Sequence, residues 1–379
     1  MSTFSRSESI VLVVDHRGLA FDNVATALKA GLPVEIVYWN DYFSIRRIVN
    51  ALSFAHPKII HFFWRDHLRL FLEELIRADA LALFKDTHFT FSIPDHLRQD
   101  LSSLKQFAIL PLRATSFVVT NDSLLNLYKE IGIFGSPWGV IHDSSKNSRV
   151  EIPIMKNFNG KLRALWVGNS QWGKSLGTPD HKGLQNVIRV ALDEDFQARH
   201  SVELIVCDSS KSKFSQKDLR DLYVSSHFIL QASISEGTGL PLLEGMAHGC
   251  VPITTSVGVV PELFSENLKS LCIINRSYIE LRSKLELLIE NRGLLFSLSA
   301  ESQACTQSFF SEYPESRWLK FFNFVERSEL PSSHLLSHSP SPHVIEKTFS
   351  IRRYPKVLDM IKQIFRLPYA LRNYWNLFR

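Results

Sequence analysis

The strongest constraint on this chain is an alternation of short apolar runs with helical patterns, and the alternation occurs twice. The first series is IVLVV at 10–14, VEIVYW at 34–39, KIIHFFW at 58–64, FTFSI at 89–93 and SFVVT at 116–120. Between these runs lie helical patterns. FDNVATALKA is stopped by Gly31 and Pro33, a second pattern ends near Pro57, and Asn121 or Asp122 caps SLLNLYKE. The second series begins at 162 with LRALWV and continues through VELIVC, HFILQA, VPITT and LCII. Ser215 and Asp218 form a capping-box start to one of its helices. Apolar strands separated by helices imply parallel pairing in βαβ units. The fold class is therefore α/β, with two consecutive domains at 1–155 and 156–328, divided in the polar stretch HDSSKNSRVEIPIMKNFNGK. A linker rich in Ser, Pro and His covers 329–349, and a basic amphipathic tail covers 350–379.

Composition excludes several classes. A net charge of +5 is too mild to call for nucleic acid as a partner. Cys207, Cys250, Cys272 and Cys305 show neither a Cys-x-x-Cys pattern nor metal-ligand spacing, which reads as reduced core thiols in a cytosolic compartment. MSTFSRSES lacks an apolar core of signal-peptide length. No window approaches the ~20 apolar residues of a spanning helix. The expectation is a cytoplasmic protein, or a peripheral one on the inner face of the membrane.

Ligands of parallel sheets bind beyond the carboxyl ends of the strands. The most informative such loop lies in residues 233–256, SISEGTGLPLLEGMAHGCVPITTS. Pro241 suits the first turn of a helix, and Gly249 suits its left-handed stop. That places Glu236 in the loop and Glu244 about one turn into the helix. A helix start offers N–H groups and partial positive charge to a phosphate. A neighbouring carboxylate can accept two hydrogen bonds from a ribose diol. The segment suits a nucleoside diphosphate carrying a sugar.

EGTGLPLLEGMAHGCVPITT resembles the E-x7-E signature of GT-B glycosyltransferases, especially glycosyltransferase family 4. GCVPITTSVGVVPEL resembles the segment that follows it in that family, so the likeness covers about thirty residues. The resemblance implies a GT-B fold, in which two Rossmann-like domains with parallel sheets face an interdomain cleft. It implies a retaining, metal-independent transferase of hexosyl type that needs no cofactor. The donor substrate would be a nucleotide-diphosphate sugar, and the acceptor a glycan or a lipid-linked molecule in cell-surface polysaccharide synthesis.

By the same resemblance, Glu244 holds the donor ribose and Glu236 lies near the transferred sugar or the acceptor. The amides of Gly237, Thr238, Gly239 and Leu240 contact the sugar or its diphosphate. Lys182, in DHKGLQNVI, matches a lysine that grips the diphosphate. Asn169 stands where an arginine is usual, and Lys174, the nearest cation, takes that arginine's place on the diphosphate. Gly18, beside Arg17, either admits a phosphate or acceptor to the first loop or makes an ordinary turn. His96 follows FTFSI in the order Asp95-His96, the reverse of the family's pair. It reaches the donor sugar or acceptor, or else is a loop histidine. Arg65, Asp66 and His67 either line the acceptor side or cap a helix. Glu262, in VVPEL, reads as a helix-start residue.

Two motifs compete with this reading. GNSQWGKS at 168–175 fits the P-loop pattern, and ELIVCD resembles its companion strand. A P-loop runs directly into a helix. Here Gly177 and Pro179 oppose one, at about 1 and 3 kcal/mol. Asp193-Glu194-Asp195 has the spacing of a metal-binding DxD but sits at a helix exit, as a solvated cluster would. The rival functions are a non-catalytic GT-B-like binding protein, a P-loop NTPase and a sugar-nucleotide epimerase.

The tail carries seven basic residues and one acidic residue among six aromatic ones. It reads as an interfacial anchor on an anionic membrane or as a helix that packs on protein. Deleting residues 335–379 is expected to release the chain from anionic vesicles in a flotation assay. Unchanged flotation rejects the anchor.

Overall fold

The computed structural model describes residues 10–331, apart from 19, 97–103, 105–106, 108, 151, 175–176 and 313. The tail and nearly all of the linker lie outside the described residues. The first sheet contains β1 (Ile10–Val14), β2 (Val34–Tyr38), β3 (Ile59–Phe62), β4 (His88–Ile93), β5 (Ala114–Val119) and β6 (Gly139–Val140). The second contains β7 (Leu162–Gly168), β8 (Val202–Asp208), β9 (Phe228–Gln231), β10 (Val251–Thr255) and β11 (Cys272–Ile273). The strand orders are β2-β1-β3-β4-β5-β6 and β11-β10-β9-β7-β8, and every paired neighbour is parallel. All ten strands read from the apolar runs are present. The additional strand, β6, has two residues, too few to carry a pattern.

Local chemistry accounts for the helices between strands. Asn121 accepts the Leu124 N–H at 2.8 Å and starts the helix Asp122–Ile131. Gly132, at φ 64°, ends it in the left-handed conformation. Ser215 and Asp218 make the reciprocal capping box at the start of Gln216–Ser225. In the second sheet, β8 and β9 lie on opposite sides of β7. This reversal opens a crevice between the loops that leave β7 and β9.

The last described helix, Pro314–Glu326, departs from the sequence reading. It falls within the 156–328 span but packs on the first sheet. Trp318, Phe321, Phe322 and Val325 share a core with Leu12, Val14 and Ile59 of β1 and β3 and with Phe21 of helix Ala20–Gly31. Their spacing makes one apolar stripe, and the first sheet supplies the face that buries it. Lys58 Nζ donates to Glu326 at 2.7 Å beside it. The chain thus crosses the domain gap at 142–160 and returns before 314. Among the described residues no helix is long and apolar enough to cross a membrane.

Phe321 is fully buried, whereas Phe324 on the same helix is nearly half exposed. Phe321→Ala is expected to lower the unfolding free energy by about 3–5 kcal/mol. Phe324→Ala should cost under about 1 kcal/mol. Urea titrations of the two variants test this, and equal effects would dismiss the return helix as part of the first domain's core.

Candidate active site at the domain interface

The site is built from the two loops that flank the β7–β9 crevice. Lys182 sits at the end of the loop after β7, just before Gly183 at φ 70°. A Cβ at Gly183 would lie 2.3 Å from Ala232 O, so the glycine lets this turn rest on the exit of β9. The two loops are joined at several points. Ile234 N donates to His181 O at 2.9 Å, and His181 Nε2 lies 3.1 Å from Ser235 O. Lys182 Nζ donates to Glu236 Oε1 at 2.6 Å, and Ser233 Oγ donates to the same oxygen at 2.6 Å. Arg276, from the loop after β11, donates to Ala232 O at 2.8 Å and to Asp180 O at 2.5 Å. It fixes the turn that carries Lys182.

Gly237, Thr238 and Gly239 lead from Glu236 into the helix Leu240–Ala247, with Pro241 in its first turn. Gly239 takes φ 79°, and no side chain caps this helix start. Its first N–H groups therefore carry no side-chain cap, and they follow directly on the loop in which Glu236 holds Lys182. The second carboxylate, Glu244, is held differently. Ser145 Oγ donates to its Oε1, and Tyr223 OH donates to its Oε2 at 2.6 Å. Burial raises its pKa, and the two hydroxyls oppose that rise.

The first domain closes against this loop. Asn121 Nδ2 donates to Gly237 O at 2.8 Å. Ser235 Oγ donates to Asp95 Oδ2 at 3.3 Å. Asp143 N donates to Thr238 Oγ1 at 3.1 Å, and that hydroxyl donates to Asp143 Oδ2 at 3.2 Å. His96 Nδ1 lies 3.1 Å from the Tyr128 hydroxyl, which also accepts from Arg65 Nη1. Asp95 and His96 therefore lie where the β4 loop meets the second domain.

The structure brings Lys182, Glu236, Gly237, Thr238, Gly239, Leu240 and Glu244 into one region. Other candidates have local partners. Gly18, at φ 75°, donates its N–H to Asp22 at 2.6 Å at the start of helix Ala20–Gly31. Arg17 pairs with Asp41 at 2.6 Å over the Tyr38 ring. Lys174 is exposed on a turn, and Asn169 holds that turn through Gln171 N at 2.9 Å. Arg65 is buried at the first turn of helix Arg65–Arg77, and His67 stacks on Trp39 at 4.3 Å. Burial lowers the His67 pKa to about 4.

Residues 170–173 form turns, and among the described residues no α-helix lies between Lys174 and Leu184, whereas a P-loop runs directly into one. Asp193 caps the helix Glu194–His200 and pairs with Arg282 at 2.7 Å. Glu262 accepts from Asp122 N at 3.2 Å across the domain gap, a junction role beyond the helix start read from sequence.

Sequence reasoning missed the strap at 142–149, which it treated as a polar boundary. His142 Nδ1 lies 2.9 Å from Thr120 O, Asp143 meets Thr238, Ser145 meets Glu244, and Asn147 donates to Gln216 O at 3.0 Å. The Ser145–Ser148 capping box was the available signal.

Two Rossmann-like domains with parallel sheets facing each other across such a site make the GT-B fold. Residues 209–304 match the family model described as glycosyl transferases group 1. The chain is similar to Anabaena HepE, solved with UDP-glucose, at 12% identity and a TM-score of 0.59 over 83% of this chain and 99% of that one. It is similar to the catalytic domain of Arabidopsis thaliana starch synthase IV, bound to ADP and acarbose, at 10% identity and a TM-score of 0.58 over 84% and 99%. It is likewise similar to sucrose-phosphate synthase of Thermosynechococcus elongatus, at 13% identity and a TM-score of 0.59 over 84% and 99%. A stretch of 91 residues is 29% identical to one subunit of human phosphatidylinositol N-acetylglucosaminyltransferase, spanning 24% of this chain and 18% of that protein.

Two carboxylates at the seam give it a pH dependence. Burial raises Asp143 from 3.8 to about 7, against the Thr238 hydrogen bond. Burial, with neighbouring Asp122, raises Glu262 from 4.5 to about 7. Each pKa is higher in the folded state, so the folded protein binds more protons between about pH 4 and 7. This stability is fully present at low pH and is lost as pH rises through about 7. Asp143→Asn should shrink the fall in Tm between about pH 5.5 and 8 by about 2 °C or more. An unaltered slope would show that Asp143 is ionised or solvated throughout.

Proposed function

We propose that the chain is a glycosyltransferase of the family 4 kind that uses a nucleoside-diphosphate sugar as donor. The observation that carries this reading is the Lys182–Glu236 pair, set beside an uncapped helix start at the switch point of the second sheet. In this reading the donor diphosphate docks against Lys182 and the N–H groups at Gly237 to Leu240, and its ribose diol reaches Glu244. Lys182 then divides its charge between Glu236 and the diphosphate. As the bond from the anomeric carbon to the diphosphate breaks, negative charge grows on the leaving oxygens. The ammonium and the helix amides are already aimed there, so they need no reorganisation. Glu236, tethered by Lys182 and Ser233, stands at the sugar end of the crevice. His96 approaches from the first domain, toward the donor sugar or the acceptor hydroxyl. Transfer proceeds with retention and without a metal, to a glycan or lipid-linked acceptor in surface polysaccharide synthesis. The site of action is the cytoplasm or the inner membrane face.

A nucleotide-sugar-binding protein without transfer activity is the second reading. It is favoured by Asn169, whose side chain serves a turn where a second cation would help the leaving group. Donor turnover separates the two readings. Lys182→Ala is expected to weaken UDP, GDP or ADP binding about tenfold and to lower turnover of the matching sugar nucleotide about 10²–10³-fold. Calorimetry and a hydrolysis assay read these effects. Undiminished affinity in the variant would remove Lys182 from the site. Binding with no turnover in the native chain would favour the second reading.

A further inference from the structure

Glu244 is 5% exposed, and hydroxyl hydrogen bonds occupy both of its carboxylate oxygens. A vicinal diol would present the same two donors. The hydroxyls already there differ in how firmly they are held. Tyr223 lies on the helix Gln216–Ser225 of the second domain, is fully buried and stacks on His248 at 5.7 Å. Its carbonyl accepts from Lys156 Nζ at 2.6 Å. Burial, and next the Glu244 charge, holds its pKa well above the usual tyrosine value, so it remains a donor. Ser145 comes instead from the strap between the domains. Its turn is closed by its own short-range bonds. Ser145 N donates to Ser148 Oγ at 2.9 Å, and Ser148 Oγ donates to Ser145 O at 2.8 Å. The turn is closed within itself and is tied to the second domain through Ser145 on Glu244 and Asn147 on Gln216, whereas Tyr223 is fixed within its own helix.

We propose that Ser145 is a built-in competitor of the donor: its hydroxyl holds on Glu244 the place of a nucleoside hydroxyl, and the strap at 144–148 withdraws before the nucleoside diol binds. The inference rests on the reading of Glu244 as the diol ligand. It accounts for a carboxylate assigned to a ligand being sealed from solvent. It also ties donor entry to domain movement, because the same strap places Asp143 on Thr238 and Asn147 on Gln216. A closed strap lowers the apparent affinity by the fraction of molecules in which it is displaced. A ligand without a diol does not meet this competition.

The test is calorimetric titration of the full chain, Ser145→Ala and Ser148→Ala with UDP, GDP, ADP and inorganic pyrophosphate. Ser145→Ala removes the competing hydroxyl, and Ser148→Ala loosens the turn if the first variant folds poorly. The nucleoside diphosphate that binds the native chain should bind one or both variants about fivefold more tightly or better. Pyrophosphate affinity should remain the same. Unchanged or weaker nucleotide binding in both variants overturns the proposal, and assigns Ser145 to positioning Glu244 for the ligand. An equal gain for pyrophosphate also overturns it, because the strap would then obstruct the whole cleft. If none of the three nucleotides binds any of the proteins, the donor reading itself fails, and this inference falls with it.

Discussion

The site depends on how closely the two domains can approach at Gly237. A Cβ at that position would stand 1.8 Å from Pro94 O and 3.1 Å from Thr120 Oγ1. Only a residue without a side chain permits the loops after β4 and β5 to rest on the loop after β9. From that contact follow the Asn121 bond to Gly237 O, the Asp95 bond to Ser235 and the strap's contacts with Thr238 and Glu244. The glycines of EGTG therefore do two things. Gly237 lets the other domain come near, and Gly239 turns the chain into its helix at φ 79°. Gly258, at φ 64°, allows a third close approach, since a Cβ there would lie 2.8 Å from Gly237 O.

That approach has an electrostatic consequence. Closing the seam removes water from Asp143, Glu244 and Glu262 together. Desolvation disfavours a carboxylate charge, and each of the three is displaced upward mainly for that reason. Asp143 meets Thr238 just before the helix start, Glu244 lies one turn into that helix, and the Lys182 ammonium is held on Glu236, in the same loop as Thr238.

Much of this was legible in the residues. Strands buried on both faces must be continuously apolar, so IVLVV, FTFSI and HFILQA marked the sheets directly. The β9 loop was legible because packing needs alone rarely assemble glycines and two glutamates at fixed spacing around a helix-starting proline. That proline, Pro241, stands in the first turn as the sequence implied. The strap was not legible. HDSSKNSR has the composition of solvated chain, yet Asp143, Ser144, Ser145, Asn147 and Ser148 are all buried. Their burial is made possible by partners distant in sequence, which no local pattern records. Arg276 was missed for the same reason. It acts through two backbone carbonyls, and backbone carbonyls leave no signature.

The return of helix Pro314–Glu326 to the first sheet shows why a linear division of this chain is a poor guide to its mechanics. The two domains are joined by two crossings, the strap at 142–160 and the segment leading to Pro314. Arg149 of the first crossing pairs with Glu315 of the second at 2.8 Å, while His142 packs on Phe309 at 4.3 Å. Two adjacent, mutually bonded crossings restrict the relative movement of the domains more than a single strand would. The contacts of Asp143 with Thr238 and of Ser145 with Glu244 lie on the same crossing, so the proposed withdrawal of the strap breaks both. On that proposal, opening the cleft and freeing Glu244 are one motion, set by where the chain crosses between its domains.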